Sequence, residues 1–271
     1  MEIYEFGKHL INEAGHFIRR RMVHDFEVDS KLNPNDLVTD VDKETETFIF
    51  DRISQKYPEH RILGEEGHGT DIVDTDGFLW IVDPIDGTLN FVHQGENFAV
   101  SIGVYKDGMP YCGFILDVMN DTLYHARPDN GAFKDDVRLK PMEKTKLKKS
   151  LVTLNPNWVV KAQISAPFTE VVKKARSTRS YGSAALDLVH TATGLVSAAL
   201  FFRLHPWDFA AGMILISEAG GRTTNLLGEE IDIIRKDSIL AGNPAIHEEL
   251  KGYFTADDSF ISHHRKVHGE K

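Results

Sequence analysis

The segment Asp83-Pro84-Ile85-Asp86-Gly87-Thr88 places two carboxylates three residues apart, directly after the apolar run Phe78-Leu79-Trp80-Ile81-Val82. Carboxylates gathered at a strand end repel one another unless positive charge sits among them. An all-oxygen ligand set selects a hard divalent ion such as Mg²⁺, Mn²⁺ or Ca²⁺. Pro84 stiffens the backbone between the acids, and Gly87 permits a tight turn beyond them. The same residues also suit an Asx turn and a helix cap with no metal, and for the fragment alone both readings stand. A calcium loop is excluded, because Ile85, Gly87 and Gln94 stand where oxygen ligands and a terminal Glu would be needed. The spacing also differs from the Asp-x-Asp of covalent aspartyl-phosphate enzymes. Asp40-Val41-Asp42 has that spacing, but only a short apolar lead-in.

Further acids sit at the edges of other apolar elements. Gly64-Glu65-Glu66-Gly67 follows Ile62-Leu63, Asp208 opens a helix after Pro206-Trp207, and Asp36, Asp40 and Asp42 gather before another helix. Taken singly, each has a plain account: a cap for Asp208, solvated loop charges for Glu65 and Glu66, a favourable helix dipole for Asp42. Their joint occurrence favours a shared cation site.

The elements that must position these acids follow from periodicity. Ile3, Phe6, Leu10, Ala14 and Phe17 predict an amphipathic helix over 3–23. Val41, Thr45, Phe48, Ile49, Ile53 and Tyr57 predict a second, ending before Pro58, with Asp29 to Asn35 an exposed loop between them. The run 78–82 predicts a buried strand ending at Asp83-Pro84. Phe98 to Tyr105, Tyr111 to Val118 and Thr122 to Ala126 continue as an antiparallel meander, with turns at Asp107-Gly108, Asn120-Asp121 and Pro128 to Gly131. The Lys-rich stretch 140–150 marks a boundary between halves, 1–145 and 146–271, although a surface loop within one domain has the same composition. Beyond it, strands and helices alternate: a strand over 151–154, helices over 166–175 and 182–194, a strand over 195–202, a helix over 208–219 stopped by Gly220-Gly221, a strand over 238–241 and a helix from Pro244. The segment Ser262 to His268 is polar and is expected to fray.

Composition narrows the function classes. With 271 residues and 41% hydrophobic content, the chain can bury a large core. A formal net charge of −10 disfavours nonspecific nucleic-acid binding. The one cysteine, Cys112, rules out an intrachain disulfide or a thiolate metal site, and its apolar neighbours predict a buried thiol rather than a nucleophile. The segment 1–6 has no signal-peptide character and no apolar run is long enough to span a membrane, so a cytoplasmic protein without membrane partners is expected.

Three motifs together resemble the inositol monophosphatase family, within the wider lithium-sensitive, magnesium-dependent phosphatases. They are Gly64-Glu65-Glu66, the long run Trp80 to His93, and Trp207-Asp208-Phe209-Ala210-Ala211-Gly212 followed by Glu218-Ala219-Gly220-Gly221. Asp36 to Asp42 and Arg179 to Ala185 extend the match in order over nearly the whole chain. The resemblance implies an α+β fold, a layered αβαβα sandwich with an antiparallel-rich N-terminal half packed on an alternating α/β C-terminal half. It implies that Glu65, Asp83 and the Ile85 carbonyl hold one Mg²⁺, that Asp83, Asp86 and Asp208 hold a second, and that a third, weaker ion leans on Glu65, with Mn²⁺ as a substitute. Thr88 and Asp42 would help Glu65 deprotonate the attacking water, with no covalent intermediate. Gly87 and Thr88 amides, with Asp86 and Asp208, would face the phosphate, while Ser183 and Ala184 line the substrate side. Lys31 matches a family position near the metals, with a plain surface lysine as its alternative. A homodimer and lithium sensitivity are family expectations.

One position departs from the pattern. In animal members a Glu seven residues before the Trp-Asp aspartate contacts inositol hydroxyls, and here that position is Phe201. An apolar ring cannot accept those hydrogen bonds. Arg203 offers a contact for a second anionic group, or is a surface arginine. The expected function is therefore hydrolysis of small phosphate monoesters such as inositol monophosphate. A fructose-1,6-bisphosphatase or an NADP(H) or nucleotide 2′-phosphatase on the same scaffold is the enzymatic alternative. An inactive metal-binding regulatory protein is the alternative of another class.

Overall fold

α1, Ile3–Arg21, forms where Tyr4, Gly7, Leu10, Ile11, Ala14, Gly15 and Ile18 share one buried face. The computed structural model describes residues 2–30, 37–67, 69 and 72–269. After α1, a short antiparallel ribbon of β1 (Val28–Ser30) and β2 (Leu37–Thr39) leads into α2 (Asp40–Lys56). Asp29 and Ser30 are thus strand residues rather than loop. Thr39 and Asp42 form a reciprocal capping box that sets the first turn of α2. Then come β3 (Arg61–Gly64), β4 (Phe78–Asp86), α3 (Thr88–Gln94), β5 (Ala99–Lys106), β6 (Met109–Asp117), β7 (Thr122–Arg127), β8 (Gly131–Lys134) and β9 (Val137–Arg138). β3 to β9 form a seven-stranded sheet in chain order, antiparallel except for the parallel pair β3–β4. The expected meander is present, with the β8–β9 hairpin added at its edge.

The second half supplies β10 (Leu151–Leu154), α4 (Asn157–Val160), α5 (Ser165–Lys174), β11 (Ser177–Arg179), α6 (Ala184–Ala192), β12 (Ala198–Leu204), α7 (Pro206–Glu218), β13 (Arg222–Thr224), β14 (Asp237–Gly242), α8 (Pro244–Thr255) and α9 (Asp258–His268). Its five strands pair in the order β11-β10-β12-β14-β13.

Side-chain alternation explains the layering. Along β4, Trp80 and Val82 join a core under α1 and α2, whereas Leu79 and Ile81 join another that includes α6 and α7. Along β12, Ala199 and Phe201 face that same central core, and Leu200 and Phe202 enter a third core with α5, α8 and α9. Both sheets are covered on both faces, which is why their strands read as continuous apolar runs. The result is the five-layer αβαβα sandwich.

Two features differ from expectation. β4 does not stop at Asp83. It continues to Asp86 by pairing Asp83 with Ser101 and Asp86 with Ala99, and the irregularity between them accommodates Pro84. The polar segment 262–268 is not frayed. It belongs to α9, whose Phe260 and His264 are buried in the third core or against it. Phe260→Ala is accordingly expected to cost about 3–5 kcal/mol in urea unfolding, whereas a loosely attached tail would show no change.

Candidate metal centre

Asp83 and Asp86 are carried on the last four residues of β4, and Asp208 on the first turn of α7. The distance between these elements is set by small residues. A Cβ on Gly103 would lie 2.9 Å from Ala210 Cβ, and one on Gly113 would lie 2.8 Å from the Ala211 carbonyl oxygen. Glycine on the sheet and alanine on the helix let α7 lie close against the sheet, and its N-terminal turn reaches the end of β4. Oxygens of Asp83, Asp86 and Asp208 then fall within 4.8 Å of one another.

The structure spends several donors on holding these acids. Asp83 is buried and accepts from the Ile85 amide at 3.0 Å. Asp86 is buried, accepts from the Ser183 hydroxyl, and accepts from the Ala185 amide at 2.7 Å. Ser183 also caps α6 by accepting from the Leu186 amide. Asp208 is the acid of a capping box and accepts from the His205 amide at 2.7 Å, so its capping and clustering positions are one and the same. Glu65 is hydrogen-bonded to Asp83 and adds a fourth carboxyl.

The electrostatics follow from this crowding. Burial raises the pKa of Asp83 well above the ordinary range, and Glu65, Asp86 and Asp208 raise it further. Burial also raises Asp86, to about 6, against the lowering effect of its Ser183 and Ala185 hydrogen bonds. Four carboxyl groups facing one another, Asp83 and Asp86 buried and Glu65 and Asp208 half-buried, fit a hard divalent cation, which supplies the opposite charge and accepts oxygen ligands.

Beside the cluster, the Thr88 hydroxyl lies 3.3 Å from Asp42 Oδ1 and 3.1 Å from the Ile85 carbonyl oxygen. Asp42 Oδ2 is held by the Thr39 amide at 2.8 Å and by the Thr39 hydroxyl at 2.5 Å. The sequence-predicted pair is therefore assembled. Gly87 precedes α3 with φ 99°, a left-handed conformation that suits glycine.

Ser183 and Ala184 adjoin the cluster through Asp86, whereas other expected residues stand apart from it. Ser183 is 2% exposed, and its hydroxyl serves Asp86 and α6 rather than an open face. Phe201 is buried in the central core. Arg203 lines a separate cavity of about 180 Å³ with Trp158, Lys161, Phe202 and His263. Asp40 pairs with Arg21. Lys31 and Asp36 lie outside the described residues. Cys112 is buried, and burial pushes its thiol up, as expected of a structural cysteine.

Three residues near the site were not foreseen. Asn90 donates to the carbonyls of Asn97 and Tyr181 and so ties α3 to the loop before α6. Asp187 is buried one turn beyond Ser183, and burial, with Asp86 nearby, pushes it up to about 8. Glu46 is buried one turn beyond Asp42. The four-residue spacing from a recognised site residue was the available signal for Asp187 and Glu46.

The model of the inositol monophosphatase family matches residues 1–258. An inositol-1-monophosphatase of Bacillus subtilis (strain 168) is 46% identical over 254 residues, which cover 92% of this chain and 95% of the relative. The crystal structure of inositol monophosphatase-II from Staphylococcus aureus MSSA476 is 49% identical, with a TM-score of 0.92 and 98% of each chain covered. A 2′AMP-bound SaIMPase-II is 48% identical, with a TM-score of 0.88, covering 98% of this chain and 97% of that one. An IMPase/NADP phosphatase complexed with Mg²⁺ and phosphate is 26% identical, with a TM-score of 0.86, covering 94% and 95%.

The raised acids give a pH signature. A carboxyl whose folded pKa lies above its unfolded value contributes stability below the unfolded value and loses it as pH rises through the folded one. Metal-free protein should therefore lose stability as pH rises from about 4 through about 6, the range set by Asp86. Mg²⁺ should raise Tm more at about pH 7.5 than at about pH 5, because it binds the deprotonated cluster. Thermal unfolding with and without chelator at both pH values checks this, and equal shifts would contradict it.

Proposed function

The chain belongs to the inositol monophosphatase family and is a phosphoric monoester hydrolase, and we propose that it performs this hydrolysis with magnesium bound at the Asp83, Asp86 and Asp208 cluster. The observation that carries this reading is the convergence of three carboxylates, from two elements, to within 4.8 Å in a largely buried setting. Glu65, Asp83 and the Ile85 carbonyl would hold one ion, and Asp83, Asp86 and Asp208 a second, with a weaker third beside Glu65 and manganese as a substitute. The Mg²⁺ and phosphate in the IMPase/NADP phosphatase structure support the choice of metal. Bound magnesium supplies positive charge opposite the phosphate oxygens and lowers the pKa of water.

The chain's own groups supply orientation and proton transfer. Asp42 is fixed by two donors from Thr39 and presents its other oxygen to Thr88. The Thr88 hydroxyl, donating to Asp42, turns a lone pair outward to an attacking water. Glu65, aided by this pair, takes the proton of that water. The water oxygen forms the bond to phosphorus as the bond to the alcohol oxygen breaks on the opposite side, and the alcohol leaves protonated by solvent. Gly87 and Thr88 amides, at the start of α3, face the phosphate with Asp86 and Asp208 nearby. Nothing in this sequence requires a covalent phosphoenzyme.

The substrate class is small phosphate monoesters such as inositol monophosphate, on the strength of the Bacillus relative. A 2′-phosphorylated nucleotide is the second reading. It is favoured by the 2′AMP-bound SaIMPase-II and by Phe201, which is buried and offers no acceptor to inositol hydroxyls. Ser183 and Ala184 stand at the substrate side through their backbone. Assembly as a homodimer belongs to the same proposal. Among the described residues, no helix is long and apolar enough to cross a membrane.

Side-by-side kcat/KM values for inositol 1-phosphate, 2′-AMP, fructose 1,6-bisphosphate and NADP test the substrate reading. Mg²⁺-dependent phosphate release from inositol 1-phosphate, or from the 2′-phosphates of 2′-AMP and NADP, above that from fructose 1,6-bisphosphate is expected, and preference for the bisphosphate would overturn it. Asp86→Asn should lower kcat at least about a hundredfold with the fold retained by circular dichroism. Near-parental turnover would refute the ligand assignment.

A further inference from the structure

Glu46 is 1% exposed and lies one turn beyond Asp42 on the same face of α2. A carboxyl at that depth, within reach of an already acidic site, is costly to bury without a specific task. Its contacts define one. Glu46 Oε2 accepts from the Glu66 amide at 2.7 Å. The same carboxyl lies against Gly64, where a Cβ would run into Glu46 Oε2 and would be 2.6 Å from Glu46 Cδ and 3.0 Å from Oε1. Gly64 ends β3 with no left-handed backbone, so what a side chain there would disturb is the position of the carboxylate packed against it.

Glu46 thus grips the chain immediately before and immediately after Glu65. The residue between those two contacts has little freedom left in its backbone, and its side chain is directed to Asp83. We propose that Glu46 is a positioning residue that, with Gly64, locks the loop of Glu65 in the orientation needed for cation binding. The proposal rests on the reading of Glu65 as a metal ligand. α2 would then serve the site twice, through Asp42 toward Thr88 and through Glu46 toward Glu65, from side chains one turn apart.

The test compares Glu46→Leu, Gly64→Ala and Glu65→Gln in the full chain by calorimetric titration of Mg²⁺ into metal-free protein, alongside thermal unfolding in chelator. Weakening of Mg²⁺ binding by about tenfold or more is expected for Glu46→Leu, which removes the acceptor of the Glu66 amide, the range of effects seen for groups that orient metal ligands. Gly64→Ala should do the same by displacing the Glu46 carboxylate while removing no acid from the chain, and the double variant should bind no worse than the weaker single one. A purely structural role would lower the metal-free Tm and leave the Mg²⁺ affinity of the folded protein unchanged. Parental Mg²⁺ affinity in Glu46→Leu, or in Gly64→Ala should the first fail to fold, overturns the proposal, provided Glu65→Gln binds weakly. Parental affinity in Glu65→Gln itself overturns the ligand reading on which the proposal stands.

Discussion

Mutual repulsion among Asp83, Asp86, Asp208 and Glu65 is the interaction around which the site is arranged. Burial of these carboxyls, and then the like charges a few ångströms away, disfavour ionisation, and the raised pKa values of Asp83 and Asp86 express that cost. A fold tolerates such an arrangement only when the backbone over-determines it or when a cation neutralises it. Here the first condition is visible in the structure, and the second is the chemical reason for meeting it.

The holding is done by ordinary means. β4 pairs with β5 through both aspartates, so two of the acids are fixed by a sheet rather than by a loop. Glycines on β5 and β6 admit α7 close enough to bring Asp208 to the strand end. Ser183 and Ala185, at the first turn of α6, grip Asp86 from the other sheet's side of the molecule. The site therefore draws on both halves of the chain, and the central core that joins them is also what keeps its geometry.

Much of this was legible in the residues. The apolar run before Asp83 announced a buried strand, and the spacing of Glu65, Asp83, Asp86 and Asp208 at element edges pointed to one oxygen-rich site. What was hidden depended on tertiary pairing. The continuation of β4 through Pro84 needs Ser101 and Ala99 as partners, and no local signal announces them. α9 was masked by a polar stretch in which Phe260 and His264 alone carry the buried face. Glu46 was masked for the opposite reason, since a glutamate on a charged helix ordinarily faces water. The plain account of Asp208 as a helix-capping acid was correct as far as it went. One carboxylate oxygen caps α7 while the group as a whole joins the cluster.

Phosphoester chemistry here depends less on any one reactive side chain than on geometry that keeps acids together against their own repulsion. The most direct measurement is an anomalous-scattering map from crystals of the full chain soaked in manganese. Peaks within about 2.5 Å of oxygens from Asp83, Asp86 and Asp208 are predicted. Manganese bound elsewhere, with these three carboxylates hydrogen-bonded only to protein and water, would contradict the assignment.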